Sequence, residues 1–125
     1  MKRLLVNIVL FFVAVFLLST VGVFGLLYGL YYSAKNYAKA QFIQYWADVI
    51  YLINIGIDQI GNVLLFPFLN RFCLIDKQGH RFGKVTETIS YVLAINYFAV
   101  NLTPFGLIIV SVLEYIDKGH MKKSL

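Results

Sequence analysis

Between Leu4 and Tyr32 the chain carries no charge: an almost unbroken apolar run of 29 residues opens directly behind Lys2-Arg3. At a rise of about 1.5 Å per residue, a helix over this run reaches about 43 Å, more than the roughly 30 Å hydrocarbon core of a bilayer. The pattern predicts a transmembrane helix over residues 4–32. The run passes well beyond an ordinary signal-peptide core, so an uncleaved anchor is expected. A second apolar segment, 45–69, is long enough to return across a bilayer as a transmembrane or interfacial helix. It carries Asp48, Asn54, Asp58, Gln59 and Asn62, and gives out near Pro67, Asn70 and Arg71. Tyr28, Tyr31, Tyr32, Tyr37, Tyr45, Trp46 and Tyr51 crowd the junction between the two. Such side chains gather at headgroup level, which predicts a short loop over 33–44 at one interface.

A polar stretch follows from Asp76 to Glu87, with Gly79 and Gly83 as breakers and Lys77, Arg81 and Lys84 for solvation. Thr86 is the expected N-cap of the next helix, with Glu87 in its first turn. The chain is apolar again over 90–116, interrupted by Asn101-Leu102-Thr103-Pro104-Phe105-Gly106, and 118–125 is a basic tail.

Charge decides between two topologies. Three full spans would put Lys2, Arg3, Arg71, Lys77, Arg81 and Lys84 on one side and Lys35, Lys39, Lys118, Lys122 and Lys123 on the other. Six against five orients nothing. If 86–117 instead enters and leaves by the same face, the split becomes nine against two, a positive-inside pattern with both termini cytoplasmic. Pro104 favours this arrangement, because it removes a donor and biases Thr103 away from helix. The expected fold is therefore an all-α integral membrane protein: two transmembrane helices and a C-terminal interfacial or re-entrant helical hairpin. Three transmembrane helices is the alternative.

The chain has 125 residues, of which 60% are hydrophobic and 14% charged, with a formal net charge of +5. There is room for one unit in the membrane class. The cations flank apolar segments, so anionic headgroups explain the positive charge better than nucleic acid does. Cys73 is the sole cysteine, which excludes an internal disulfide and any multi-thiol metal site, and reads as a small hydrophobe.

Two helical faces stand out. Ser19, Gly22, Gly25, Gly29 and Ser33 recur at spacings of three and four, and Gly25–Gly29 is a GxxxG match. Such a stripe lets another helix approach closely. Asn54, Asp58 and Asn62 recur every four residues and share one face, with Asp58 near mid-segment. An ionised carboxylate at that depth costs about 2.5 to 3.5 kcal/mol on insertion scales, so this intramembrane polar face should meet protein or water. A lumen, an interhelical hydrogen-bond set and a shallow, wetted segment are all compatible with it.

For an enzyme the inventory is poor. His80 and His120 stand alone in glycine-flanked segments and read as surface residues, and no HExxH, Walker or GxSxG pattern is present. No catalytic residue, metal site or cofactor is expected, and neither is a small-molecule substrate.

The second half carries three further motifs: Asp58-Gln59-Ile60-Gly61-Asn62, Thr86-Glu87-Thr88-Ile89-Ser90, and Ile116-Asp117-Lys118-Gly119-His120 with a nearby Ser124. In order and spacing these resemble a family of small phage and prophage membrane-associated proteins of unassigned role. Its pattern runs Asp-Gln-x-x-Asn, Asp-Glu-Thr-Ile-Ser and Asp-x-Gly-His. Thr86 stands where the family has Asp, and Met121 where a Cys often follows the His. The resemblance implies a phage origin and makes Asp58, Gln59, Asn62, Glu87, Thr88, Ile89, Ser90, Asp117 and His120 the motif residues; it implies no activity. The expectation is a non-enzymatic phage or prophage protein. It would act by helix–helix assembly, as a homo-oligomer or with other membrane or virion proteins, in the bacterial inner membrane or a virion membrane. A holin-like lysis protein that permeabilises the membrane is the alternative. A small multidrug-type exporter fits poorly, because residues 4–32 lack an acidic residue.

Overall fold

The computed structural model describes residues 2–76 and 78–125; Met1 and Lys77, one of the loop cations counted above, lie outside them. All regular structure among these residues is helical, apart from one isolated antiparallel bridge, Leu74–Leu102. The chain divides into two units, Met1–Val49 and Ile50–Leu125.

The first unit is built on one long helix. α1 (Lys2–Leu17) continues through a π-helical turn (Leu18–Gly22) into α2 (Val23–Asn36). The looser turn disturbs the backbone ladder. Ser19 Oγ and Thr20 Oγ1 both donate to the carbonyl of Phe16, at 3.0 and 2.7 Å. Hydroxyls of this kind satisfy a carbonyl that a wider turn loosens. Arg3–Asn36 is the one described helix that is long and apolar enough by itself to cross a membrane, and none of its apolar window is buried.

The expected 33–44 loop shrinks to Tyr37–Ala38. Tyr37 adopts an extended conformation and Gln41 Oε1 accepts from Ala38 N, so that α3 (Lys39–Leu64) starts early. Its first turns pack back on α2. Trp46 Nε1 donates to Ser33 Oγ at 3.0 Å, and Ser33 Oγ donates to Gly29 O at 2.7 Å, which leaves Ser33 buried. Tyr32, Tyr37, Tyr45 and Trp46 form a chain of ring contacts around the reversal.

The expected continuous helix over 45–69 is interrupted. α3 ends at Leu64 and α4 (Phe66–Phe72) leaves at 76° to it. Pro67 has no N–H for the carbonyl four residues back, and its ring clashes there, so the helix cannot run through. Only when taken together as one bent span does this pair pass the length and composition test.

The second unit closes around α5 (Ile89–Phe98), whose Val92, Leu93 and Ala94 are completely buried. Leu69 of α4, Cys73 and Leu74 just after it, Phe82, Leu102, Val110 of α6 (Pro104–Ile116) and Met121 of α7 (His120–Lys123) complete the core. Gly106 lets the start of α6 approach the preceding chain: a Cβ there would lie 2.8 Å from the carbonyl oxygen of Cys73. Thr103 caps α6 by accepting from Gly106 N, with Pro104 at the first helical position.

The link between α5 and α6 is a Schellman turn: Asn101 N donates to Asn96 O at 2.8 Å and Val100 N to Tyr97 O at 3.1 Å. Its left-handed position, usually glycine, is held by Val100 at φ 55°, 86% exposed.

Candidate functional site

The polar residues of the second unit converge on the segment 76–88, whose described residues have no regular structure and so leave backbone groups to be satisfied by side chains. Four asparagines do this. Asn62 is fully buried; its Nδ2 donates to the carbonyls of Lys84 (3.0 Å) and Glu87 (2.8 Å), and its Oδ1 accepts from Gly83 N (3.1 Å). Asn70 clasps Phe82 at both ends, accepting from its N–H at 3.0 Å and donating to its carbonyl at 3.1 Å. Asn96, buried in α5, donates to His80 O at 2.6 Å, and Asn101 Oδ1 accepts from Asp76 N at 2.8 Å. Asn101 Nδ2 in turn donates to Asn96 Oδ1 at 3.0 Å, which joins two of the clasps. Gly83 sits at φ 116°, where a Cβ would also meet Phe66, so that position is reserved for glycine.

The start of α5 is the second element of the site. Thr88, not Thr86, is its N-cap, accepting from Tyr91 N at 3.0 Å. Thr86 comes too early because Lys84 O and Glu87 O are both turned to Asn62. Asp58 reaches across from α3 and accepts from Ile89 N (3.0 Å) and Ser90 N (3.3 Å), so its charge faces the positive end of the helix. Asp58 and Asn62 thus spend their polar groups inside the chain, and Asn54, one turn earlier, is exposed.

Glu87 gathers two donors: His80 Nε2 at 2.7 Å and Lys84 Nζ at 2.9 Å. Burial pushes its carboxyl up, but these bonds outweigh it and hold the group below the ordinary glutamate range. His80 is therefore not the free surface residue its glycine-flanked setting suggests. At the other end of the unit, hydrogen bonds from Met121 N and Gly119 N hold Glu114 below its usual value. Lys123 and His120 do the same for Asp117.

Separate from the asparagine clasps and the Glu87 cluster, α3, the start of α5 and the chain around α7 line a cleft of about 800 Å³ that includes Asp58, Thr88, Ser90, Asp117 and His120. Residues from all three sequence motifs therefore share one concavity. His120 Nδ1 donates to Asp117 Oδ2 at 3.3 Å, while its Nε2 is the one buried side-chain polar atom among the described residues with no partner. Ser124 Oγ donates to the carbonyl of His120, not to its ring. Gln59 is half-buried on the neighbouring face of α3. No group of three or more His, Cys, Asp or Glu side chains among the described residues could hold a metal ion. Burial pushes the Cys73 thiol up, away from the thiolate that chemistry would need.

The small-residue stripe divides. Gly29 and Ser33 lie against the start of α3, with Tyr45 Oη 4.0 Å from the Cβ position of Gly29. Gly25 has nothing within 4 Å, and Gly22 meets only Leu18 and Leu17 of its own helix.

Asn70, Asn96 and Asn101 are members that the sequence reading did not single out. Their signal was present: an amide inside an apolar stretch is retained where it has backbone groups to satisfy. No family model, curated protein or solved structure matches the chain.

Proposed function

We propose that this chain is a bilayer-anchored, non-enzymatic phage or prophage protein. It acts by assembly: the long helix holds it in a bacterial inner membrane or a virion membrane, and the compact C-terminal unit is presented to partners at the membrane surface. The observation that carries the reading is that every large apolar side chain of Arg3–Asn36 is exposed and none of its apolar window is buried. A water-soluble protein seldom leaves a patch of this size uncovered, whereas lipid tails cover it at no cost. The phage assignment rests on the motif order around Asp58, Thr88 and His120, whose side chains line one cleft.

The polar face of α3 supports assembly over permeabilisation. A lumen needs polar groups turned to water, and those of Asp58 and Asn62 are occupied by backbone of the same chain. Both termini are assigned to the cytosolic side, with the α5–α6 pair on that same face as an interfacial or re-entrant hairpin.

The test is expression in a bacterial host, followed by alkaline carbonate extraction and labelling of a cysteine placed at Ser124 in sealed vesicles. Retention in the pellet with labelling from the cytosolic face is expected. Extraction into the supernatant overturns the anchor, and labelling from the opposite face overturns the topology. Abrupt collapse of membrane potential on induction would move the protein to the lysis class.

A further inference from the structure

We propose that the second unit lies on an anionic lipid surface through one defined face, made by the outer sides of α4 and α6; this rests on the bilayer reading above. On α6, Phe105, Ile108, Val112 and Tyr115 recur at spacings of three, four and three, and all are exposed. That spacing puts them on one side of the helix, opposite the buried Gly106 and Val110. On α4, Phe68 and Phe72 are exposed while Leu69 faces the core. The two faces join: the Phe68 ring lies 4.7 Å from Phe72 and 6.0 Å from Phe105. Six large apolar or aromatic side chains thus form one continuous patch.

Charge identifies the occupant. All five acidic residues of this unit are engaged within it. Asp58 caps α5, Asp76 accepts from Gln78 N, and Glu87 holds His80 and Lys84. Glu114 accepts from Gly119 and Met121, and Asp117 pairs with Lys123 and His120. Arg71, in α4 beside Phe72, and Lys118, just beyond Tyr115, make no ion pair among the described residues, and both are exposed. An apolar face bordered at both ends by unpaired cations, and without a free carboxylate, matches an anionic leaflet. Tyr115, 89% exposed at the end of the stripe, suits the headgroup level.

The experiment uses the full chain in lipid nanodiscs, either phosphatidylglycerol-rich or purely phosphatidylcholine. An environment-sensitive fluorophore is attached at Val112→Cys, or at Gln78→Cys in the 76–88 segment as a control outside α4 and α6. Cys73 is fully buried and escapes labelling in the folded protein. In anionic discs the probe at 112 should be quenched by spin-labelled lipid and the probe at 78 should not. A nearby lipid surface contributes about 1 kcal/mol per cation, about fivefold. Arg71→Gln with Lys118→Gln should therefore lower the docked-to-free ratio about 25-fold while circular dichroism stays unchanged.

A probe at 112 that stays in water, in a chain that does incorporate into discs, overturns the proposal alone. A chain that fails to incorporate overturns the anchor reading with it. Equal quenching in neutral discs removes the role of anionic lipid, and lipid-independent cross-linking at 112 would assign the face to a second copy.

Discussion

Removing the Asn62 side chain should release the segment 76–88. In Asn62→Ala, Gly83 N, Lys84 O and Glu87 O all lose their partner. Each hydrogen bond contributes a net of about 0.5 to 1.5 kcal/mol, so the three together amount to about 3 kcal/mol. Hydrogen exchange read by mass spectrometry on peptides spanning 76–88 would then accelerate about a hundredfold, if opening is local. Asn62→Asp sharpens the test. It keeps the acceptor for Gly83 N but turns a carboxylate oxygen on two carbonyls where an amide donated. At neutral pH it should be at least as destabilised as the alanine variant. That carboxyl's folded pKa must rise above its unfolded value of about 3.9. The penalty is then full above the folded pKa and fades as pH falls toward the unfolded one, measured against wild type at each pH. Wild-type exchange in Asn62→Asp at pH 7 would refute the reasoning.

Val100→Gly should stabilise the second unit by up to about 1 kcal/mol, because a β-branched residue occupies a left-handed position; denaturant midpoints in mild detergent check it. Gly106→Ala should destabilise by about 1 to 3 kcal/mol, since its Cβ would meet the backbone oxygen of Cys73, whereas Gly25→Ala should be neutral for folding. A matched pair of melting curves decides it. Glu87, Glu114 and Asp117 are all held below their ordinary values of 4.5, 4.5 and 3.8. Their contribution is present above those values and lost as pH falls through the lower folded ones, so acid titration by near-ultraviolet circular dichroism should show a loss that Glu87→Gln blunts.

The helical character of every apolar stretch was legible, because periodicity and length report directly on what a segment can bury. Boundaries were less so. α2 and α3 run into the loop expected over 33–44, since Gln41 and Ser33 supply local hydrogen bonds that hydropathy does not register. The segment 45–69 reads as one helix although Pro67 lies inside it, and the 76° bend near Leu65 was not legible in the sequence. The N-cap fell on Thr88 because Asn62 claims the carbonyls around Thr86, a contact between residues more than twenty positions apart. For the same reason the face Asn54–Asp58–Asn62 could be read as a stripe from spacing alone, while the backbone groups that occupy it could not be read at all.

The π-helical turn at Leu18–Gly22 has a consequence for how the long helix meets its neighbours. One surplus residue in a turn rotates everything upstream by about 100° relative to everything downstream. Ser19 and Gly22 lie inside this turn, so α1 side chains spaced by threes and fours from the row Gly25, Gly29 and Ser33 fall on a different face from that row. The end of α2 is already occupied by Tyr45 and Trp46. A protein gripping α1 would approach from another quadrant and need not compete with that internal contact.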